Sequence, residues 1–157
     1  MVGLGYDVHR LAEGESLILG GVRIESPIGT VAHSDGDVLL HALCDAILGA
    51  AGLGDIGEHF PDTDIKWKNA DSTRFVTAVV EMITEQQLQL VNVDVTLVLE
   101  SPKILPYKQQ MRSTIALLCG LPEQRVNLKA TTSEKLGFVG NREGVQAYAI
   151  CQLRELR

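Results

Sequence analysis

The stretch "HSDGDVLLHALCDAILGAAG", residues 33–52, decides the fold. Leu and Ala dominate from Gly36 to about Ala51, and Gly52 stands where a helix needs a left-handed terminal residue, so a helix is predicted here. Val38, Leu39, Ala42, Ala46 and Ile47 form an apolar stripe, and Asp37, His41 and Asp45 form a polar one at i, i+4 and i+8. Upstream, "GYDVHR" (5–10) belongs to a strand predicted over 2–9, in which Gly3 and Gly5 allow another backbone to come close. Strand residues i and i+2 share a face, so Asp7 and His9 project together while Val8 points away. Packing the helix on the strand brings Asp7, His9 and His41 toward one ion. Two imidazoles and a carboxylate suit Zn²⁺, and three protein ligands leave a fourth tetrahedral position open. Asp37 or Asp45 is the expected orienting partner of His41. The same letters also fit a solvated strand and a helix whose polar stripe faces water, and spacing alone does not choose. His59, in "GEHFPD", reads as a solvated loop residue.

Working outward, "LILGGVRI" (17–24) has the signature of a hairpin turning at Gly20-Gly21. Asp71 caps a second predicted helix carrying Phe75, Val76, Val79, Val80 and Ile83. "LVNVDVTLVLE" (90–100) alternates and is rich in valine, a strand pattern. Pro106 suits the first turn of a third helix, which Gly120 ends. "RVNLKA" (125–130) and "VQAYAICQL" (145–153) complete a sheet. Interspersed helices and strands predict an α+β domain, a two-layer sandwich with helices on one face of a four- to five-stranded mixed sheet.

At 157 residues the chain is read as one domain, residues 1–157, with no repeat, linker or low-complexity tract. A net charge of −6 argues against nucleic acid or an anionic membrane as the main partner. No apolar run reaches spanning length, and no basic-then-hydrophobic leader is seen. Three widely spaced cysteines, Cys44, Cys119 and Cys151, do not form a disulfide framework or a CxxC clamp, which fits a reducing compartment. A cytoplasmic location of bacterial type is expected, or a plastid if a transit peptide has been removed.

Three further stretches carry chemistry. "GLGDIGEHFPDTD" (52–64) reads as a binding loop or a plain connector. "ESPKILP" (100–106) sets Lys103 between two prolines, a stiff loop able to grip a flat or anionic ligand, or a solvated lysine. "KATTSEKLGFVG" (129–140) offers hydroxyls after a strand as a phosphate cradle, with Glu134 able to hold a hard cation such as Mg²⁺. It also reads as a helix N-terminus capped by Thr132 or Ser133, and such termini bind phosphate.

"GYDVHR", "GGVRI", "AHSDGDVLLHALCDAILGAAGLGDIGEHFPDTD", "ADS", "NVDVTLVLESPKILP" and "VNLKATTSEKLGFVG" follow in this order across essentially the whole chain. Together they resemble the 2-C-methyl-D-erythritol 2,4-cyclodiphosphate synthases of the non-mevalonate isoprenoid pathway, in their monofunctional form. The resemblance implies a phosphorus-oxygen lyase. It implies a cytidine diphosphate substrate whose 2-phosphate attacks the β-phosphorus, closing a cyclic diphosphate and releasing CMP. By the same resemblance Asp7, His9 and His41 hold Zn²⁺, and Glu134 holds Mg²⁺ or Mn²⁺ together with the diphosphate. His33 and Thr132 stabilise the transition state. Ser34 contacts the methylerythritol phosphate, in a pocket lined by Asp55, Ile56, Gly57, Phe60, Pro61, Asp62, Thr63 and Asp64. Leu99, Glu100, Ser101, Pro102, Lys103, Ile104 and Leu105 form the cytidine pocket. Thr131, Thr132, Ser133 and Glu134 meet the nucleotide phosphates, and Phe138 and Arg142 contact substrate. The family fold is a homotrimer with sheets packed together and active sites between subunits, which fits the apolar residues on both faces of "VDVTLVL".

The chain departs from the family pattern in two places. Family members often carry arginine in "FxGR", where "FVGNRE" has Asn141 and moves the cation to Arg142. Tyr6 replaces a common phenylalanine, and with Asn141 it predicts weak prenyl diphosphate binding on the trimer axis. Neither change touches a metal ligand. A zinc-dependent phosphoester hydrolase and a non-catalytic nucleotide- or metal-binding module remain as alternative readings.

Overall fold

The chain opens on a long strand, β1 (Val2–Glu13), in a computed structural model that describes residues 1–156. The strand runs past residue 9 because β4 (Ile28–Val31) folds back beside its second half, from Arg10 opposite Val31 to Glu13 opposite Ile28. Between them, β2 (Leu17–Leu19) and β3 (Val22–Ile24) form the expected hairpin, and Gly20 and Gly21 take the positive φ at both turn positions that a tight hairpin requires. There follow α1 (Val38–Ala51), α2 (Ile56–His59), α3 (Thr73–Glu85) and β5 (Leu88–Val98). The chain then forms α4 (Lys108–Cys119), β6 (Val126–Thr131), α5 (Gly137–Gly140) and β7 (Gly144–Glu155).

Five strands form one mixed sheet in the order β4-β1-β7-β5-β6, with β5 and β6 parallel and every other pair antiparallel. The hairpin pairs only with itself, so the fifth member of the sheet is β4, which the sequence reading did not identify. Four residues following Pro27 and containing Gly29 are too short and too glycine-interrupted to show a strand period. Pro106 sits in a 3₁₀ turn, Leu105–Tyr107, that leads into α4 rather than in the helix itself.

Alternation sorts the two faces of the sheet. Val93, Val95 and Leu97 on β5, and Val145, Ala147, Ala149, Cys151 and Leu153 on β7, are buried beneath the helices. On β1 the matching positions are Gly3 and Gly5, and there α1 lies directly on the strand. A Cβ at Gly5 would come within 1.8 Å of the Ala42 carbonyl oxygen, and one at Gly3 within 1.9 Å of that of Ala46. Leu39, Leu40, Leu43, Ile47 and Leu48 of this helix expose no surface. Each such side chain contributes about 1.5–3 kcal/mol through burial. The opposite face stays apolar and uncovered: Val2 is 69% and Leu4 67% exposed, beside Tyr6, Val8, Tyr148 and Ile150.

The polar stripe of α1 does not face water. Asp37 is fully buried, with Oδ1 accepting from the Leu40 and Gly20 amides at 3.1 and 3.0 Å and Oδ2 from the Gly21 amide at 2.7 Å. It therefore caps α1 and ties the hairpin turn to it. Burial pushes its pKa up to about 6 against the pull of those donors. The folded value lies above the unfolded one of about 3.9, so this group's contribution to stability is complete below about pH 4 and is lost as pH rises through 6. Asp37→Asn sets an amide N–H against one of the backbone donors and is expected to cost about 1–3 kcal/mol. In urea unfolding the gap between native protein and variant should narrow from pH 5 to pH 7.5. A constant or widening gap would contradict this assignment.

Candidate active site

Asp7 and His9 lie on the helix-facing side of β1, and His41 lies one turn into α1, where the strand carries glycine and the helix comes closest. His9 Nε2 is 3.0 Å from His41 Nδ1, and Asp7 Oδ2 is 3.2 Å from both nitrogens. Tetrahedral Zn²⁺ with bonds of about 2.0–2.1 Å separates its ligands by about 3.3 Å, so the triangle has the size the ion needs. Among the described residues this is the group of histidines and carboxylates that could hold a metal. Desolvation by burial, ahead of the opposing pull of Asp7, lowers the His9 pKa and favours the neutral imidazole that a metal requires.

The partners that orient His41 are not the expected ones. Asp37 faces the hairpin, and Asp45 accepts from the Ile56 amide at 2.7 Å, which anchors α2. Instead His41 Nε2 meets Ser72 Oγ at 2.8 Å and Ser34 Oγ at 3.2 Å, and Ser72 is held by Asp35. The expected cap of α3 is displaced by one residue: Ser72 holds the N-cap position without a side-chain capping bond, because its hydroxyl is turned to Asp35. Asp71 stands just outside the helix, with Oδ1 accepting from the amide and hydroxyl of Thr73. The signal was present in "HSDGD", whose first aspartate had no assigned task.

The donor triangle opens on a cleft of about 500 Å³ lined by His9, Ala32, His33, Ser34, His41, Ile56, Gly57, Phe60, Pro61, Asp62, Thr63, Trp67 and Phe75. Most of the predicted methylerythritol pocket lies here. Asp55 and Asp64 do not line it. Asp55 caps α2 through the Glu58 amide at 3.0 Å, and Asp64 caps the 3₁₀ turn Ile65–Trp67 through the Lys66 amide at 3.0 Å. The segment read as a loop is therefore partly helical. His59 donates to or accepts from no metal group; its Nε2 bonds the Leu53 carbonyl at 2.8 Å. An aromatic wall that the sequence reading missed closes one side: Phe60 stacks on Phe75 at 4.8 Å between centroids, and Trp67 meets both edge-on. In the sequence Phe75 is legible only as one of the apolar residues recurring along the second helix. Among the described residues, the buried atoms Thr30 Oγ1, His33 Nε2 and Trp67 Nε1 have no hydrogen-bond partner in the protein.

The remaining predicted residues assemble elsewhere. Leu99, Glu100, Pro102, Lys103, Ile104, Leu105, Thr131 and Thr132 line a second cleft of about 350 Å³, with Lys108 and Ala130 added by the structure. Glu100 Oε1 accepts from the Ser133 amide and hydroxyl and the Lys135 amide, at 2.9, 3.1 and 3.3 Å, and so holds the turn that presents Glu134. Desolvation, the largest single influence, pushes the Glu100 pKa up, but these bonds together with the charge of Arg142 outweigh it and leave the carboxyl below its ordinary value. Ser101 and Arg142 lie together in a neighbouring hollow, and exposed Phe138 rests its ring against Gly144. From β1 to β6 the sheet takes three strand steps, about 14 Å at 4.8 Å each. Within one chain, Glu134 and Thr132 therefore stand apart from His33 and the donor triangle.

A sequence model of the YgbB family matches residues 1–154. The chain belongs to that family. It is 55% identical over 150 residues to the 2-C-methyl-D-erythritol 2,4-cyclodiphosphate synthase of Chlorobaculum tepidum, covering 96% of each chain. It is 53% identical over 153 residues to that of Salinibacter ruber, covering 98% of each. Among solved structures, a synthase captured in a CDP-bound form shares 40% identity with a TM-score of 0.91, over 98% of this chain and all of that one. The bifunctional IspDF of Campylobacter jejuni matches at 48% identity and a TM-score of 0.95, and this chain spans 42% of its length. The resemblance carried by the motifs is thus kinship over the full chain, within a family of lyases acting in isoprenoid synthesis.

Proposed function

We propose that the protein converts 4-diphosphocytidyl-2-C-methyl-D-erythritol 2-phosphate to 2-C-methyl-D-erythritol 2,4-cyclodiphosphate and CMP. The observation that carries this reading is the 3.0–3.2 Å triangle of Asp7, His9 and His41 opening into a cleft walled by the family's substrate residues. In the reaction an oxygen of the 2-phosphate attacks the β-phosphorus, the bond to the α–β bridging oxygen breaks, and CMP leaves with that oxygen. Zn²⁺ on Asp7, His9 and His41, with Mg²⁺ or Mn²⁺ on Glu134 and the diphosphate, would supply the charge neutralisation that lets one phosphate approach another. Glu134 is a single exposed carboxylate, which fits an ion that takes its other ligands from phosphate and water.

The chain's own residues hold the reactants. His33, which lines the metal cleft, and Thr132, which lines the second, would bring an imidazole and a hydroxyl to the transferring phosphoryl group. Ser34 accepts from the Gly36 amide at 3.2 Å, and its own proton remains for the substrate phosphate. Positioning of this kind supplies much of the barrier reduction, because two oriented groups react as one molecule.

Assembly belongs to the same proposal. Three copies packed through the open apolar sheet face would set the cytidine cleft of one subunit beside the metal cleft of the next. CDP complexes of relatives support a cytidine nucleotide as ligand, and the second cleft is the proposed place for it. A cytoplasmic location is part of the reading, supported by three cysteines that are all free and buried. Incubation with the diphosphocytidyl substrate and Mg²⁺ should release CMP and yield a cyclic diphosphate in the phosphorus NMR spectrum. Ring-opened product would instead identify a hydrolase, and binding without turnover a nucleotide-binding module.

A further inference from the structure

We infer that Asp35 and Ser72 are positioning residues that fix the tautomer of His41. The inference deepens the metal-site reading and rests on it for its ligand. Asp35 Oδ2 accepts from the Ser72 amide at 3.0 Å, and Oδ1 accepts from the Asp37 amide at 3.2 Å and the Ser72 hydroxyl at 2.5 Å. A carboxylate only accepts, so the single Ser72 hydroxyl proton is committed to Asp35. Ser72 Oγ then faces His41 Nε2 at 2.8 Å with lone pairs alone, and the ring must carry its proton on Nε2. Nδ1 is left with a free lone pair, and Nδ1 is the atom that faces Asp7 Oδ2 and His9 Nε2.

Without the relay the choice reverses. His41 Nδ1 lies 3.2 Å from Asp7 Oδ2, and a proton on Nδ1 would satisfy that carboxylate while closing the ligand position. Ser34 contacts the same Nε2 but at 3.2 Å, and its own proton is not tied to a carboxylate, so it selects neither tautomer. Ser72 is fully buried and His41 nearly so, which keeps water from replacing the missing partner. The relay also joins distant parts of the chain: Asp35 precedes α1 and Ser72 precedes α3, so the docking of one helix beside the other sets the chemistry of the ring.

The test uses the full chain with zinc alone and no substrate. In ¹⁵N-histidine NMR of metal-free protein, His41 should show a protonated Nε2 and an unprotonated Nδ1. In Ser72→Ala the ring should move toward the Nδ1–H form, and zinc should bind about 10- to 100-fold more weakly in chelator competition. Asp35→Asn, made in case the serine variant folds poorly, should weaken zinc in the same direction. The double variant should be no weaker than the worse single one, since both act through one chain of bonds. A wild-type His41 protonated on Nδ1 would overturn the inference whether or not zinc binds. So would unchanged zinc affinity in Ser72→Ala, or losses in the two variants that simply add. Failure of wild-type protein to bind zinc, with the Nε2 tautomer present, would strike the metal reading and leave the tautomer assignment standing.

Discussion

His41→Ala should leave a folded protein that retains little zinc and turns over at least about 10³-fold more slowly in kcat/KM, some 4 kcal/mol of transition-state stabilisation. His41 supplies the Nδ1 corner of the donor triangle, and its removal leaves Asp7 and His9 as two ligands where a tetrahedral catalytic site uses three. The loss should exceed that of Ser72→Ala, which disturbs the same ring without deleting it. Elemental analysis should fall from about one zinc per chain toward none, and saturating zinc should restore only part of the rate. The ring is also packed against Phe75 at 5.9 Å, so some stability is lost by truncation. Thermal unfolding of metal-free native and variant protein separates that part. Full zinc occupancy with activity within tenfold of native would remove His41 from the site.

Gly5→Ala should be strongly destabilising for a change of a single methyl group. The added Cβ would lie 1.8 Å from the Ala42 carbonyl oxygen and 2.7 Å from the Ala46 amide nitrogen, both backbone atoms of α1. A side chain can rotate away from such a clash, but a helix backbone moves only as a body. Relief requires lifting α1 from β1, which opens packing around Ala42, Ala46 and their neighbours. Overpacking of a core commonly costs about 1–3 kcal/mol, and a rigid backbone obstacle places this change at or above the upper end. Gly49→Ala, on the exposed side of the same helix with nothing near its Cβ, is the matched control and should be neutral or stabilising. Urea unfolding of the two variants decides the point. The same displacement should carry His41 away from Asp7 and His9, so zinc affinity should fall with stability in Gly5→Ala. Equal stability of the two variants would mean that the helix does not rest on the strand as closely as described.

The reach from sequence to site was longest where local geometry is strict. A strand puts Asp7 and His9 on one face, and a helix puts His41 on a polar stripe beside the apolar one, so the three come within reach of one ion if the helix packs on that face of the strand. Gly3 and Gly5 announced that packing before any coordinate did. The hairpin at Gly20-Gly21 was equally legible, since positive φ at both turn positions is a local demand. By contrast β4 is too short to carry a period, and the part of 52–64 that forms α2 is a single helical turn. Trp67 and Phe75 could not be placed in a cleft wall, because an aromatic in a helix stripe reads as core until the neighbouring loop is seen to fold over it.

By itself the sequence determined the family, through motifs that hold their order over the whole chain, and the α+β class, through backbone periodicity. Periodicity also put Asp7 with His9 on one strand face and His41 on a helix stripe, but left open whether the three meet. Only the tertiary structure decided which acid serves which purpose. Asp35, Asp37 and Asp45 are equivalent letters within a few residues, yet one commits the proton of Ser72, one bolts a hairpin to α1 and one anchors α2. Their partners come from elements up to 37 residues away, and a hydrogen bond depends on distances of a few tenths of an ångström that no spacing rule transmits across a loop. The division of the remaining site residues between two clefts was hidden for the same reason: strand order places β1 and β6 apart, and order is set by how strands pair, not by where they occur in the chain.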